Sequence, residues 1–466
     1  MKYLILVPDG AADVTVPGEA TPLEAAATPT MDLLARRGRV GLVRTIPRGV
    51  APGSDAANMA VLGYDPAKDL TGRSPLEAVS MGIELGPRDV AFRANLVTLS
   101  DESGRQDAAP TGDFRRGGIL PPETGSEVGG PEGYAGLTIV DHASGDIPTE
   151  EARALIEYVD ARIGSGDPAN GGRVKFYPGV SYRHAFVVRD EGPKPTESGI
   201  GDVFEDYRGY ALVPPHDILG RQIELYLPDA QPDKENERYL LTLMEKSYAL
   251  LKDHEINRAR VAKGLRPANS LWIWGEGRRP QLDKVAEKYG VTGSVISAVD
   301  LIKGIGICAG LSPVCVEGAT GTITTNFKGK GQAAIDAFKS GKDLAYIHVE
   351  APDECAHQGN RAEKIEALTR IDEDIVAPVL AYLEGCGEDF RILIVPDHRT
   401  PVVIRTHTDE PVPFVLYDSR KAAEAAAAAG GADAAENPAH AFTERAGEKG
   451  ERLHSGRELA DAFFLG

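Results

Sequence analysis

Residues 344–398, LAYIHVEAPDECAHQGNRAEKIEALTRIDEDIVAPVLAYLEGCGEDFRILIVPDH, decide the fold. The stretch opens on a short apolar run, 344–350, and ends on another, 390–396. Each is rich in Val, Ile, Leu, Tyr or Phe and stops at an acidic or Pro-Asp turn, as strands buried on both faces do. Between them Ile365, Leu368, Ile371, Ile375, Val379 and Leu383 recur every three or four residues. That period predicts one helix over 361–383 with a single face on a sheet. Strand, helix, strand with apolar β runs is a βαβ unit, so the fold class is α/β with parallel strands.

Working outward, Lys2–Pro8 reads as a third strand of the same kind. Pro29–Arg37 reads as a short helix stopped by Gly38, followed by a strand over 40–45. From about 100 to 146 the chain is Gly- and Pro-rich and weakly periodic, as in a domain crossover. Beyond it, helical segments (Thr149–Ile163 and 236–253) alternate with strand-like ones (174–177 and 184–188). The expectation is an inserted domain over 109–267, interrupting a discontinuous one over 1–108 and 268–466. The stretch 421–436, KAAEAAAAAGGADAAE, reads as a surface excursion or loose helix.

A chain of 466 residues with 42% hydrophobic and 26% charged side chains is long enough for a substantial core. Its 70 acidic and 51 basic residues give a net charge of −19. That balance argues against nucleic acid and anionic membranes as partners. No apolar run approaches the roughly 20 residues of a membrane helix. The start, MKYLILVPDG, lacks the apolar core and cleavage site of a signal peptide and reads as the first strand. Four cysteines without a CxxC pair fit a reducing compartment, so the expected location is cytoplasmic. The choice between monomer and homo-oligomer is open.

Ligands in open α/β sheets collect at the carboxyl ends of strands. The first strand runs into Asp9, the 344–350 strand into Asp353 and His357, and the 390–396 strand into Asp397 and His398, with His407 nine residues later. A lone Asp after a strand is usually a turn former, and a lone His near a turn is usually just solvated. Three of each at one sheet edge is a different matter, because carboxylate and imidazole together suit divalent ions such as Mn²⁺ or Zn²⁺. PGSDAAN, residues 52–58, precedes a helix-compatible run stopped at Gly63. Ser54 is expected as the N-cap of that helix. It is also a candidate nucleophile, since a helix N-terminus favours phosphate and a nearby ion would activate the hydroxyl.

The segments MKYLILVPDG, TPLEAAATPTMDLLARRG, PGSDAANMAVLGYDP, GRSPLEAVSMGIELG, FRANLVTL, FYPGVSYRH, PPHDILG, WIWGEG, HVEAPDECAHQGN and PDHRTPVVIRTHTDEPVPF occur in that order. Together they resemble the archaeal-type cofactor-independent phosphoglycerate mutases of the alkaline phosphatase-like superfamily. The likeness spans nearly the whole chain and thins over about 101–136 and 421–436. It implies a three-layer core with a mainly parallel sheet and an inserted α+β domain. It further implies interconversion of 3-phosphoglycerate and 2-phosphoglycerate, a small phosphorylated acid, without 2,3-bisphosphoglycerate. Two divalent ions are implied, Mn²⁺ first, with Mg²⁺, Co²⁺ or Zn²⁺ as alternatives. One ion would take Asp353, His357 and His407; the other would take Asp9, Ser54, Asp397 and His398, with Ser54 forming a phosphoserine.

The inserted domain is then expected to close as a lid and bring cations to the substrate. Arg183 and His184 are its first candidates, His216 is a candidate acid or base, and Lys303 falls where the family places a phosphate-contacting lysine. Arg278 and Asn269 are weaker candidates. Trp272 and Trp274 are read as packing residues. Cys355, inside the metal loop, departs from the small residue usual there and is expected to pack inertly. Rival readings within the superfamily are a homoserine kinase-like phosphotransferase and a plain metal-dependent phosphatase. A sulfatase lacks support because Ser54 is not followed by the x-Pro-x-Arg pattern. A non-catalytic metal module would not need every ligand position filled.

Overall fold

The structure is a computed structural model that describes residues 1–100, 133–190, 210, 212–228, 235–432 and 435–466. Its strands are β1 Lys2–Pro8, β2 Arg39–Val43, β3 Val90–Ser100, β4 Thr138–Asp141, β5 Val174–Val180, β6 Arg183–Val188, β7 Ser270–Arg278, β8 Gly293–Ile296, β9 Ser312–Val314, β10 Leu344–Val349, β11 Phe390–Ile394, β12 Val412–Asp418 and β13 Glu451–Leu453. The chain divides into two compact units, Met1–Glu84 with Pro280–Gly466, and Leu85–Arg279.

The first unit holds an eight-stranded sheet in the order β13-β2-β12-β11-β1-β10-β8-β9. From β11 to β9 every pairing is parallel, and β12 runs antiparallel to both β11 and β2. The apolar runs become its centre for a simple reason: both faces must be covered. Leu4 and Leu6 of β1 lie in one core cluster with Ile392, Ile394, Leu368, Ile371, Ile375 and Val379. Ile5 and Val7, equally buried, point to the opposite face by the strand's alternation. The α/β class with a mainly parallel sheet is therefore the observed one.

The helix expected over 361–383 forms as Arg361–Ile371 and Ala377–Gly385 joined by a π-turn, Asp372–Val376. Pro378 lacks the N–H that the regular ladder needs, which accounts for the local widening. Asp372 is put to use there, accepting from the N–H groups of Thr30 and Met31 at 3.1 and 2.7 Å. Ile365 stays only half-buried, and its neighbour Lys364 is the residue fully enclosed.

The second unit is α+β. An antiparallel sheet, β4-β3-β6-β5 with β7 also on β3, shares a core with the helices Thr149–Ile163 and Glu235–Leu251. Its limits differ from the expected 109–267. The joins fall at 84/85 and 279/280 because β3 and β7 pair along most of their length and are both strands of this sheet. The Gly- and Pro-rich crossover also contains β4, and its residues 101–132, with the expected boundary at 109, lie outside the described residues. The Ala-rich stretch begins as an exposed helix, Ser419–Ala429, capped by the Asp418 side chain. No helix among the described residues is long and apolar enough to cross a membrane.

Candidate active site

Three strands of the first unit deliver the acidic groups to one edge. In register, Pro8 of β1 lies beside Val349 of β10, and Leu6 beside Ile394 of β11. Asp9 follows β1 directly, Asp353 and His357 lie on the helix Ala351–His357 after β10, and Asp397 and His398 follow β11. Gly10 makes the approach feasible. Its φ of +59° suits glycine, and a Cβ there would meet Asp353 Oδ1 at 2.5 Å and Thr400 Oγ1 at 2.6 Å. Its N–H donates to Asp397 Oδ1 at 3.1 Å.

Ser54 is not the N-cap. Gly53 holds that position in extended backbone, and Ser54 is the first residue of the helix Ser54–Val61, so its hydroxyl has no capping bond. Its Oγ instead lies 3.1 Å from His398 Nε2 and 3.5 Å from Asp9 Oδ2. One turn on, Asn58 donates to the Ser54 carbonyl at 2.8 Å and to Asp397 Oδ2 at 3.1 Å, and accepts from Tyr346 at 2.5 Å.

The histidines are oriented by what their Nδ1 atoms bind. His357 Nδ1 lies 3.0 Å from the Arg405 carbonyl, which can only accept, so it carries the proton. Thr400 donates to Asp353 Oδ1 at 2.5 Å and accepts from His398 Nδ1 at 3.2 Å. His407 Nδ1 faces the Pro52 carbonyl at 3.4 Å. All three rings thus present Nε2 to the carboxylates, as metal-ligating histidines do. His357 Nε2 is 3.1 Å from Asp353 Oδ2, His407 Nε2 is 3.5 Å from Asp353 Oδ1, and the two ring nitrogens are 2.9 Å apart.

Among the described residues, three overlapping groups have the spacing to hold cations: Asp353, His357 and His407; Asp9, Asp353 and His398; Asp9, His348 and Asp397. The electrostatics fit such an ion. Burial, then the charges of Asp397, Asp353 and Glu350, push the Asp9 carboxyl well above its ordinary range. Burial and the charges of Asp353 and Glu354 raise Glu350 to about 7. Burial would raise Asp353 too, but hydrogen bonds from His357 and His407 outweigh it and hold that group well below. The bond to Asp353 lifts His357 to about 9, so a proton occupies the place of a cation. Asp9 Oδ1 and His348 Nε2 are buried without a hydrogen-bond partner.

All seven residues expected as ligands or nucleophile are therefore brought together in the first unit. Lys303, in the same unit, pairs with Asp300 at 2.7 Å. Arg183, His184, His216 and Arg278 belong to the second unit. Arg183 is exposed, its guanidinium 4.7 Å from the Tyr182 ring centre. His184 is no cation: it is buried, its Nδ1 accepts from the Gly179 N–H, and burial lowers it to about 3. His216 lies edge-on to Trp274, their ring centres 5.5 Å apart, and Arg278 ends β7. Asn269 is structural, accepting from the Leu99 N–H and donating to the Leu99 carbonyl. Trp272 is core. Cys355 is buried, and burial raises its thiol to about 11, which disfavours the thiolate a metal would need.

Sequence reasoning missed His348, Asn58 and Thr400. His348 was concealed inside an apolar strand, although a lone histidine in LAYIHV was itself a signal. Asn58 and Thr400 stand in motifs already singled out, but bonds to groups hundreds of residues away leave no periodic trace.

A serine at the head of a helix, facing carboxylates and imidazoles at the carboxyl ends of a parallel sheet, defines the class: an α/β protein with a candidate metal centre enclosing a hydroxyl. A family profile for 2,3-bisphosphoglycerate-independent phosphoglycerate mutase matches residues 35–257. A Geobacter sulfurreducens protein named a probable 2,3-bisphosphoglycerate-independent phosphoglycerate mutase is 44% identical, covering 92% of this chain and 93% of its own. A Methanosarcina barkeri protein named as that mutase is 43% identical over 90% and 91%. The chain belongs to the 2,3-bisphosphoglycerate-independent phosphoglycerate mutase family. In fold it is similar to the PH0037 protein of Pyrococcus horikoshii, with a TM-score of 0.70, 24% identity and coverage of 99% and 96%. The cofactor-independent phosphoglycerate mutase of Thermoplasma acidophilum gives 0.59, 21%, and 100% and 99%.

Proposed function

We propose that this chain interconverts 3-phosphoglycerate and 2-phosphoglycerate, with Ser54 as the phosphoryl carrier and two divalent ions, Mn²⁺ first, as cofactors. The observation that carries this reading is the position of Ser54 Oγ, free of capping duty and 3.1 Å from His398 Nε2, in a cluster where two buried atoms, Asp9 Oδ1 and His348 Nε2, lack partners. The names of relatives 43–44% identical over nearly the whole chain support the same substrate.

Asp353, His357 and His407 would hold one ion, and Asp9, Ser54, Asp397 and His398 the other. When bound, the ions would lower the pKa of the serine hydroxyl and offset phosphoryl charge. Ser54 gives up its hydroxyl proton as Oγ bonds to phosphorus and the bond from phosphorus to the substrate's C3 oxygen breaks, and that oxygen takes up one proton to become a hydroxyl of glycerate, so no net proton is consumed. Return to the C2 oxygen breaks the serine–phosphorus bond and regenerates Ser54. Because the serine stores the group, no bisphosphorylated cofactor is required. The positive end of the helix beginning at Ser54 favours phosphate there.

The second unit is proposed as the substrate-binding part. Arg183 offers a bidentate fork for carboxylate or phosphate, with Arg278, His216 and, from the first unit, Lys303 as further contacts. His184 enters this set as a neutral donor through Nε2. The proposed setting is the cytoplasm.

The test uses Mn²⁺-reconstituted protein with 3-phosphoglycerate, following 2-phosphoglycerate through enolase. Parallel arms supply homoserine with ATP and measure free phosphate. Mutase turnover without the other two is expected. Phosphorylated homoserine, or phosphate release in place of 2-phosphoglycerate, overturns the reading.

A further inference from the structure

We infer that His348 is an additional nitrogen ligand of the ion held by Asp9 and Asp397. The inference rests on the two-ion reading above and extends its ligand set. His348 is the fifth residue of β10, fully buried, and its Nε2 lies 3.0 Å from Asp9 Oδ2. Despite that distance, Nε2 makes no hydrogen bond. A buried ring nitrogen left without a partner is costly unless something else uses its lone pair.

The ring's other nitrogen says what that use is. Its Nδ1 faces Ser297 Oγ at 3.4 Å, and this hydroxyl already accepts from the Val299 N–H. A second lone pair on Ser297 can accept from Nδ1–H, as the Arg405 carbonyl accepts from His357 and Thr400 from His398. That arrangement leaves Nε2 bare, and donor atoms of Asp9, His348 and Asp397 lie within 4.8 Å of one another, a separation one ion can bridge. The strand holds the ring in place: Lys330 Nζ donates to the His348 carbonyl at 3.0 Å from the adjoining helix.

The experiment is a crystal structure of the Mn²⁺-loaded full chain with anomalous data at the manganese edge. An ion between Asp9 and Asp397 at roughly 2.0–2.4 Å from His348 Nε2 is expected. Two ions bound, with the Asp9–Asp397 ion more than about 3 Å from Nε2, overturn this inference alone. No ion at either group overturns it together with the two-ion reading. Titration of His348→Gln and His348→Ala with Mn²⁺ alone gives a second readout. One of two binding steps should weaken at least about tenfold while the other is unchanged. In wild-type protein carrying ¹⁵N-histidine, electron spin echo should report one more manganese-coupled imidazole than in either variant. Unchanged affinity and coupling in a folded variant refute the assignment.

Discussion

Two polar clusters sit four residues apart along the chain, at Asp9 and at Asp13, and they are built on opposite rules. Around Asp13 each carboxylate oxygen accepts a hydrogen bond. Lys364 Nζ donates to Asp13 Oδ2 at 3.1 Å and to the Thr400 carbonyl at 2.8 Å, while the N–H of Val14 serves Oδ1. Glu444 accepts from the Asp13 N–H and from Thr21, and Arg399 donates to the Asp13 carbonyl. Around Asp9, by contrast, the carboxylates of Asp9, Asp353 and Asp397 crowd one another, and two buried atoms are left over. The first cluster is a finished structural joint. The second is short of positive charge, and that deficit is what a pair of divalent ions would fill. Thr400 links them, its carbonyl bound in the satisfied cluster and its hydroxyl oriented into the other.

The sharpest break between the clusters is chemical. Ser54→Ala should cost about 10⁴-fold or more in mutase turnover, as loss of an enzyme nucleophile does. Its melting temperature and Mn²⁺ stoichiometry should remain near wild type. Retained turnover would remove Ser54 from its role and, with it, the functional meaning of the unsatisfied cluster.

Next in size is Lys364→Met, which leaves the buried Asp13 without its cation. Breaking a buried pair from one side costs about 3–5 kcal/mol, readable in denaturant unfolding. Lys364→Met with Asp13→Asn should recover part of the loss. A cost under about 1 kcal/mol would mean the pair is solvated and the contrast overstated.

Removing one charged group at the other cluster should have the opposite sign. With chelator present, Asp9→Asn removes a carboxyl that burial and its acidic neighbours make costly to ionise. It should stabilise the metal-free protein by about 0.5–2 kcal/mol, in the range of relieved functional strain, while weakening Mn²⁺ binding. A destabilised metal-free variant would place Asp9 with Asp13 among the structural carboxylates.

Much of this was legible in the sequence, and what was not has a common cause. The 344–398 stretch announced the parallel core because both-face burial forces predominantly apolar runs. Asp9, Asp353, His357, Asp397, His398 and His407 could be found because strand ends are where such a sheet exposes side chains. Local pattern could not tell that Lys364, beside the half-buried Ile365, is the enclosed residue, since its partner Asp13 is 351 positions away. Nor could it distinguish an N-cap serine from the first helical residue, a choice made by the extended backbone of Gly53. The expected domain limits failed at β3 and β7 because an apolar strand does not declare which sheet it joins.

The smallest effect separates the clusters by pH. His357 is raised from 6.5 to about 9, chiefly by its bond to Asp353, with burial opposing and the Arg405 carbonyl assisting. A histidine with a raised folded pKa contributes stability that is complete below its unfolded value and is lost as pH rises through the folded one. Metal-free protein should therefore lose this contribution between about pH 6.5 and 9. His357 is about a third exposed (34%), so solvent screening holds the change to at most about 1 kcal/mol. His357→Gln should flatten that part of the curve, leaving the decline from Glu350 at lower pH. At fixed Mn²⁺ the trend should invert, because the ion competes with the proton for Nε2 and wins more readily as pH rises. Melting temperatures of wild type and His357→Gln, each with chelator and with Mn²⁺, test both signs. Parallel slopes in all four series would mean that no ion replaces the proton between His357 and Asp353.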